Sequence, residues 1–305
     1  MPVATTNRTQ LAYIAETAWG TTPGTGSMQI VRYTGESLDN NYGFTESAEI
    51  IADRMTTDMV RVSGQAAGEV NYELSYGMFD PWIEAALGGT WTTNVVKTGA
   101  TAKSFTIEKQ FLDITQFLAF TGQRVDSWRM ELRQGQIASG SFGFVGKASN
   151  AMSATTVRTG TTAATTDTVM APVDSIQVLT EGGSAIAGCS GLTFNLSNSL
   201  RTLAVINSID PIEVNAGRQR ITGTMDMYFQ DATAFAKFRN QTETAIIAKI
   251  GGAASKNYNL NFPRVKFTKA SIVAGGGDQD MMVSFEWTAL RHAASSTLLE
   301  VTRTP

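Results

Sequence analysis

The sequence predicts a mainly β protein, a β-sandwich with a flanking short helix that occurs twice in the chain. Three observations predict it. Apolar and polar residues alternate with period two in segments bounded by Gly, Asn and Asp. A strand–helix unit at 61–88 is echoed at 217–240, and an internal repeat governs every later assignment. Charged residues are only 17% of the chain, with Thr, Ser, Gly and Asn in their place, while 42% hydrophobic residues suffice for two cores. A length of 305 residues suits two domains of about 150 residues each. The expected division is 1–150 with an N-terminal arm, 151–170 as linker, and 171–305.

Residues 1–27 are punctuated by Gly and Pro and read as an extended arm whose Tyr13, Ile14 and Trp19 need a partner surface. A strand is expected over 28–38. Residues 40–58 lack a clean period and carry Glu46, Glu49, Asp53, Arg54 and Asp58. So long a polar excursion is usually functional or disordered, and it reads as an arm for a neighbouring subunit. Then Val70, Tyr72 and Leu74 fall on one strand face and Glu69, Asn71 and Glu73 on the other. Next, Phe79, Trp82, Ile83, Ala86 and Leu87 have the spacing of one helical face. Asp80 is the expected N-cap, Pro81 the first-turn residue and Gly88 the stop.

Strands follow over 103–109, 114–120, 125–132 and 136–145, with turns at Gly122-Gln123 and Gln134-Gly135. The linker is Ala- and Thr-rich. In the second half, strands are expected over 176–179, 191–196, 218–229, 245–250, 258–262, 265–273 and 279–290, with a turn at 275–278. A second excursion covers 197–211, and Asp231 is expected to cap a helix bearing Phe235 and Phe238. Residues 68–72, Gly-Glu-Val-Asn-Tyr, match 223–227, Gly-Thr-Met-Asp-Met, and the 293–305 tail pairs as an edge strand or frays.

Chemistry is scarce. One cysteine, Cys189, excludes an intrachain disulfide and fits a reducing cytoplasm, and it reads as a small apolar filler. His292 is the only histidine, and there is no CxxC, HExxH, GxxxxGK[ST] or GxSxG. No metal, cofactor or catalytic site is expected. Net charge is -4 over 1–150 (11 basic, 15 acidic) and +1 over 171–305 (12 basic, 11 acidic), without the basic patch of a protein that grips nucleic acid. The N-terminus lacks the pattern of a signal peptide, and no apolar run approaches a membrane span.

The opening LAYIAETAWGTTPG, the strand ending TGESL, the acidic excursion, SGQAAGEV at 63–70 and FTIEK at 105–109 together resemble the tail tube proteins of long-tailed bacteriophages. The similarity is to the class of about 300 residues in which the tube fold occurs twice, and it is strongest over the first 150 residues. It implies a structural virion protein made in the host cytoplasm, whose sheets join between subunits into a barrel around a channel for DNA. It implies trimeric, pseudo-sixfold rings stacked into a tube of the flexible, non-contractile kind, with tape measure, terminator and tail tip proteins as further partners. Glu69, Asn71, Glu73, Thr224 and Asp226, with Glu131 and Glu286, are the expected lumen residues, since a neutral or mildly acidic wall lets DNA slide. Tyr13, Trp19, Glu46, Glu49, Asp53, Arg54 and Asp58 are the expected contacts between subunits or rings. A decoration or adhesin-type β-sandwich would share the composition, and a hydrolase using Glu69 and Glu73 is a third possibility.

Overall fold

Two long strands determine the architecture, because each belongs to two sheets. In the computed structural model, which describes residues 3–305 apart from 187, 231, 253, 274–276, 278 and 279, Gln116–Arg133 is one continuous strand. Gly122 and Gln123 are therefore not a turn: Gly122 takes a positive φ of 69° within the strand. Asn257–Val273 is likewise one strand where two were expected.

The front sheet runs, all antiparallel, through Asp39–Glu46, Met59–Glu73, Ser139–Gly146 and the C-terminal part of Gln116–Arg133. It continues without a break through Cys189–Ser197, Arg220–Tyr228, Met282–Ala289 and the C-terminal part of Asn257–Val273. Behind it, Met28–Val31, Thr9–Ala15, Phe105–Phe111 and the start of Gln116–Arg133 form one sheet. A second back sheet joins Ile176–Glu181, Thr244–Gly251, the start of Asn257–Val273, Glu300–Thr304 and Val95–Lys97. The C-terminal tail thus pairs as a strand between the two halves.

The four front strands of each half pair in the same order, and two of the register shifts fall at matching places. Bulges interrupt the ladder between Val125 and Ser127 and between Phe267 and Lys269. Others fall between Phe105 and Ile107 and between Thr244 and Ile246. A bulge shifts every later side chain to the opposite face, so its position is a strong constraint on register.

Side chains between the layers make the core. Trp82 lies at 5.1 Å from Tyr13 of the back sheet and 5.0 Å from Phe144 of the front sheet, ring centre to ring centre. In the second half Phe262 meets Phe194 and Trp287. Gly68 is required by close approach, since a Cβ there would sit 2.4 Å from the Ser37 carbonyl oxygen.

Asp80–Leu87 is the expected helix, with Pro in its first turn and Gly88 in the left-handed conformation at its end. Asp80 is not its cap. Phe79 holds that position without a side-chain hydrogen bond, and the Asp80 carboxylate instead accepts from the Tyr258 hydroxyl and the Arg303 guanidinium. This buried cluster binds the first-half helix to second-half strands. The other expected helix is Thr233–Arg239, with Phe235 and Phe238 in edge contact; its expected cap, Asp231, lies outside the described residues, as do residues 275, 276 and 278 of the expected turn.

The N-terminal segment is the clearest departure from expectation. Thr9–Ala15 is no arm but an interior strand of the first back sheet, and Tyr13 is buried against Trp82 and Phe105. Leu11 and Tyr13 alternate inward, a short period-two signal that the following Gly and Pro residues obscured. The connecting segment is also pinned to the first half. Thr161–Thr162 pairs in parallel with Met28–Gln29, and the buried Glu108 carboxylate accepts from the Thr156 hydroxyl and the Val157 amide.

Candidate assembly site

Strand alternation sends Val70, Met225, Phe142, Trp128 and Phe285 into the core and the residues between them outward. The seven expected wall residues all lie on this outer face of the front sheet. One row across it reads Glu73, Ser139, Glu131, Thr193, Thr224, Glu286 and Lys269. Asn71, Ser141, Arg129, Asn195 and Thr222 form an adjacent row. Glu69 pairs with Gly143, and Asp226 lies opposite Ser284, whose hydroxyl donates to it at 2.6 Å. The face carries a shallow concavity of about 640 Å³ lined by Glu69, Arg129, Thr193, Thr224 and Glu286 among others.

The face is mixed in sign, with basic side chains set among the acidic ones. Arg129 and Arg133 both reach Glu131, Arg133 lies 3.7 Å from Asp226, and Lys269 lies 2.8 Å from Glu286. Surface pairs of this kind add little stability, but they neutralise the face locally.

The expected excursion is a projecting β-hairpin. Asp39–Glu46 pairs with Met59–Ala67, and the Ser47 amide donates to the Asp58 carbonyl at 2.9 Å to start the tip. Glu46, Glu49, Asp53, Arg54 and Asp58 are exposed on it. The sequence reading missed its apolar content: Phe44, Ile50, Met55, Met59, Val60 and Val62 are exposed as well, Ile50 at 99%. So many exposed apolar side chains on one projecting hairpin mark a contact site. Of the other two expected contact residues, Tyr13 belongs to the core. Trp19 is half-buried, its indole N–H donating to the Gly122 carbonyl and its ring flanked by Arg124 and Lys147.

A second, shorter hairpin at 201–215 docks within the chain, on Arg124 and on the base of the first hairpin. Arg201–Leu203 pairs with Glu213–Asn215. Glu213 holds Arg124 at 2.7 Å, the Val214 carbonyl also accepts from Arg124, and the Gly64 amide donates to the Ile209 carbonyl. Both outer strands of the front sheet lack a partner on their outer side among the described residues: Asp39–Glu46 at one end and residues 266–273 at the other.

Cys189 lines a cavity of about 500 Å³ with Leu132, Leu179 and Ile186. Burial pushes its thiol up to about 11. Alkylation by iodoacetamide at pH 7.5 is therefore expected to be slow in the native protein and to rise about tenfold per pH unit. A rate at pH 7.5 equal to that of the unfolded chain would contradict this. Among the described residues no group of three or more His, Cys, Asp and Glu could hold a metal ion, and no helix is long and apolar enough to cross a membrane.

A search of curated proteins gives no significant match. A family model described as phage tail tube protein matches residues 6–289, nearly the whole chain and both halves of the front sheet. The chain therefore belongs to the phage tail tube protein family and is a structural protein of a phage tail.

Proposed function

We propose that the chain assembles with copies of itself into rings, that the rings stack into the tail tube, and that DNA passes through the lumen during ejection. The two halves act as two copies of one tube unit, so three chains build a pseudo-sixfold ring. The observation that carries this reading is the eight-stranded front sheet, polar on its outer face and, among the described residues, unpartnered at both edges. Unpaired edges of long strands are an aggregation hazard unless a partner covers them, and a head-to-tail ring covers all of them at once. The outer face becomes the lumen wall. Among the described residues its paired charges leave no run of free Lys or Arg to hold phosphates by counterion release, which suits sliding rather than binding. The exposed hairpin at 39–67 reaches a neighbouring subunit or ring, and tape measure, terminator and tail tip proteins meet the finished tube.

Negative-stain electron microscopy of the purified protein at rising concentration tests this. The expected result is stacked rings or hollow tubes with a channel of about 20 Å or more, enough for duplex DNA, and threefold averages. Compact particles alone, with and without a preformed tail tip as initiator, would favour a decoration or adhesin-type role.

A further inference from the structure

The chain already contains one joint between two tube units, and its free edges are the counterparts of the strands that make it. Inside the chain, the C-terminal part of Gln116–Arg133 pairs with Cys189–Ser197: Trp128 lies opposite Leu196, Arg129 opposite Asn195 and Met130 opposite Phe194. The ladders identify the matching residue for each. Trp128 neighbours Phe142 as Ala270 neighbours Phe285, and Arg129 neighbours Ser141 as Ser271 neighbours Ser284. On the other side, Asn195 neighbours Thr222 as Asp39 neighbours Ala67, and Leu196 neighbours Ile221 as Asn40 neighbours Ala66. These matches hold because Glu69 and Thr224 occupy the same place, opposite Gly143 and Glu286.

We infer that the joint between neighbouring chains repeats the joint within the chain, residue for residue: antiparallel, with Asp39 of one copy opposite Ser271 of the next, Leu38 opposite Ile272 and Asn40 opposite Ala270. This deepens the tube reading and rests on it. Three further observations support the register. Ile272 is 37% exposed while its counterpart Met130, opposite Phe194, is 2% exposed, so Ile272 is the position the next copy must cover. At the internal joint the Asn198 amide donates to the Asp126 carbonyl, and by the same alternation the backbone amides of Leu38 and Asn40, the counterparts of Phe194 and Leu196, point to the open edge. In the single chain their amides are held by the carboxylates of Glu36 and Asp39, at 2.9 and 2.8 Å, which occupy the edge until a strand arrives.

The hairpins extend the correspondence. Thr45 opposite Val60 matches Arg201 opposite Asn215, and the bond from Ser47 to Asp58 matches the pair Leu203 and Glu213. Asp58 is therefore the counterpart of Glu213. Arg124, opposite Val145, has its counterpart in Lys266, opposite Thr288. The internal ion pair of Glu213 with Arg124 becomes Asp58 of one chain with Lys266 of the next. Lys266 is only partly engaged in its own chain, 3.4 Å from an exposed Glu243 that Arg264 already holds at 2.6 Å.

Cysteine cross-linking tests the register. In a Cys189→Ser background, Asp39→Cys with Ser271→Cys places two thiols on directly opposed residues, about 4.5–5.5 Å apart at Cα, which suits a disulfide. The expected result is an oxidised ladder of covalent oligomers from particles that microscopy finds assembled. Asp39→Cys with Lys269→Cys moves one thiol two residues along the strand, about 7 Å, and is expected to stay monomeric on the same gel. Assembled particles with no ladder, or with the ladder in the shifted variant, overturn the joint and leave the tube reading intact. Failure to assemble under any condition, initiator included, overturns the tube reading and the joint with it. The second test is a charge exchange: Asp58→Lys and Lys266→Asp are each expected to cut the assembled fraction about fivefold at physiological salt, and the double exchange to restore it. Both residues are surface residues, so the fold survives; single exchanges without effect, or a double exchange without rescue, remove the ion pair from the joint.

Discussion

Replacing residues 48–57 with an Asn-Gly turn is expected to abolish tube growth while leaving the monomer folded. Every residue removed is exposed, and the closing bond from the Ser47 amide to the Asp58 carbonyl lies outside the deletion. Losing a surface segment of this kind changes stability by about 0.5 kcal/mol or less, a shift in Tm of about 2 °C for a chain of this size. Assembly has far more to lose. The tip carries Ile50, Ile51 and Met55 in the open, and with them Glu49, Asp53 and Arg54. Covering such side chains stabilises an interface by about 25 cal/mol for each Å² of apolar surface removed from water. Calorimetry and microscopy of the same preparation decide the matter. Tubes of normal length from the shortened chain would refute a contact role for the tip, and a large fall in Tm would mean that the tip also packs within the monomer.

Trp128→Ala is expected to cost about 3–5 kcal/mol, the range for removing a large aromatic from a close-packed core. Trp128 is fully buried. Its ring is parallel to that of Phe142 at 5.9 Å and meets Phe194 edge-on at 4.9 Å, and its N–H donates to the Tyr72 hydroxyl at 2.8 Å. Phe142 belongs to the first half and Phe194 to the second, so the substitution removes packing from both sides of the internal joint. The expected readout is a fall in Tm of about 10 °C with a single transition, because one sheet and one core span both halves. Two separate transitions, with only one displaced, would mean that the halves unfold independently. A loss below about 1.5 kcal/mol would mean that the site collapses around the cavity.

Most strands and the outer-face residues were legible because alternation is a local signal. Val70 and Tyr72 inward with Glu69 and Asn71 outward needed no knowledge of a partner strand, only a buried face and a wet one. The match of residues 68–72 with 223–227 was equally legible, and both segments hold the same ladder positions. Strand continuity was not. Gly122-Gln123 carries a turn signal, yet here the positive φ bends a strand from one sheet into another, and only the two sets of partners distinguish the cases. The projecting hairpin read as polar because its charges are numerous, while its apolar side chains became conspicuous only when the structure left them without neighbours.

The sequence by itself determined the mainly β class, the helix after Phe79, and the outward placement of Glu69, Asn71, Thr224 and Asp226, since each follows from periodicity within a few residues. Tertiary structure alone decided which strands meet. It placed Tyr13 in the core, set Arg129, Arg133 and Lys269 among the carboxylates of the outer face, and turned Asp80 from a helix cap into the acceptor of Tyr258, 178 residues away. The physical reason is that strand pairing and charge pairing are non-local. A strand carries the same donors and acceptors along both edges, and only the layer of side chains beneath selects which neighbour and which register can close over it.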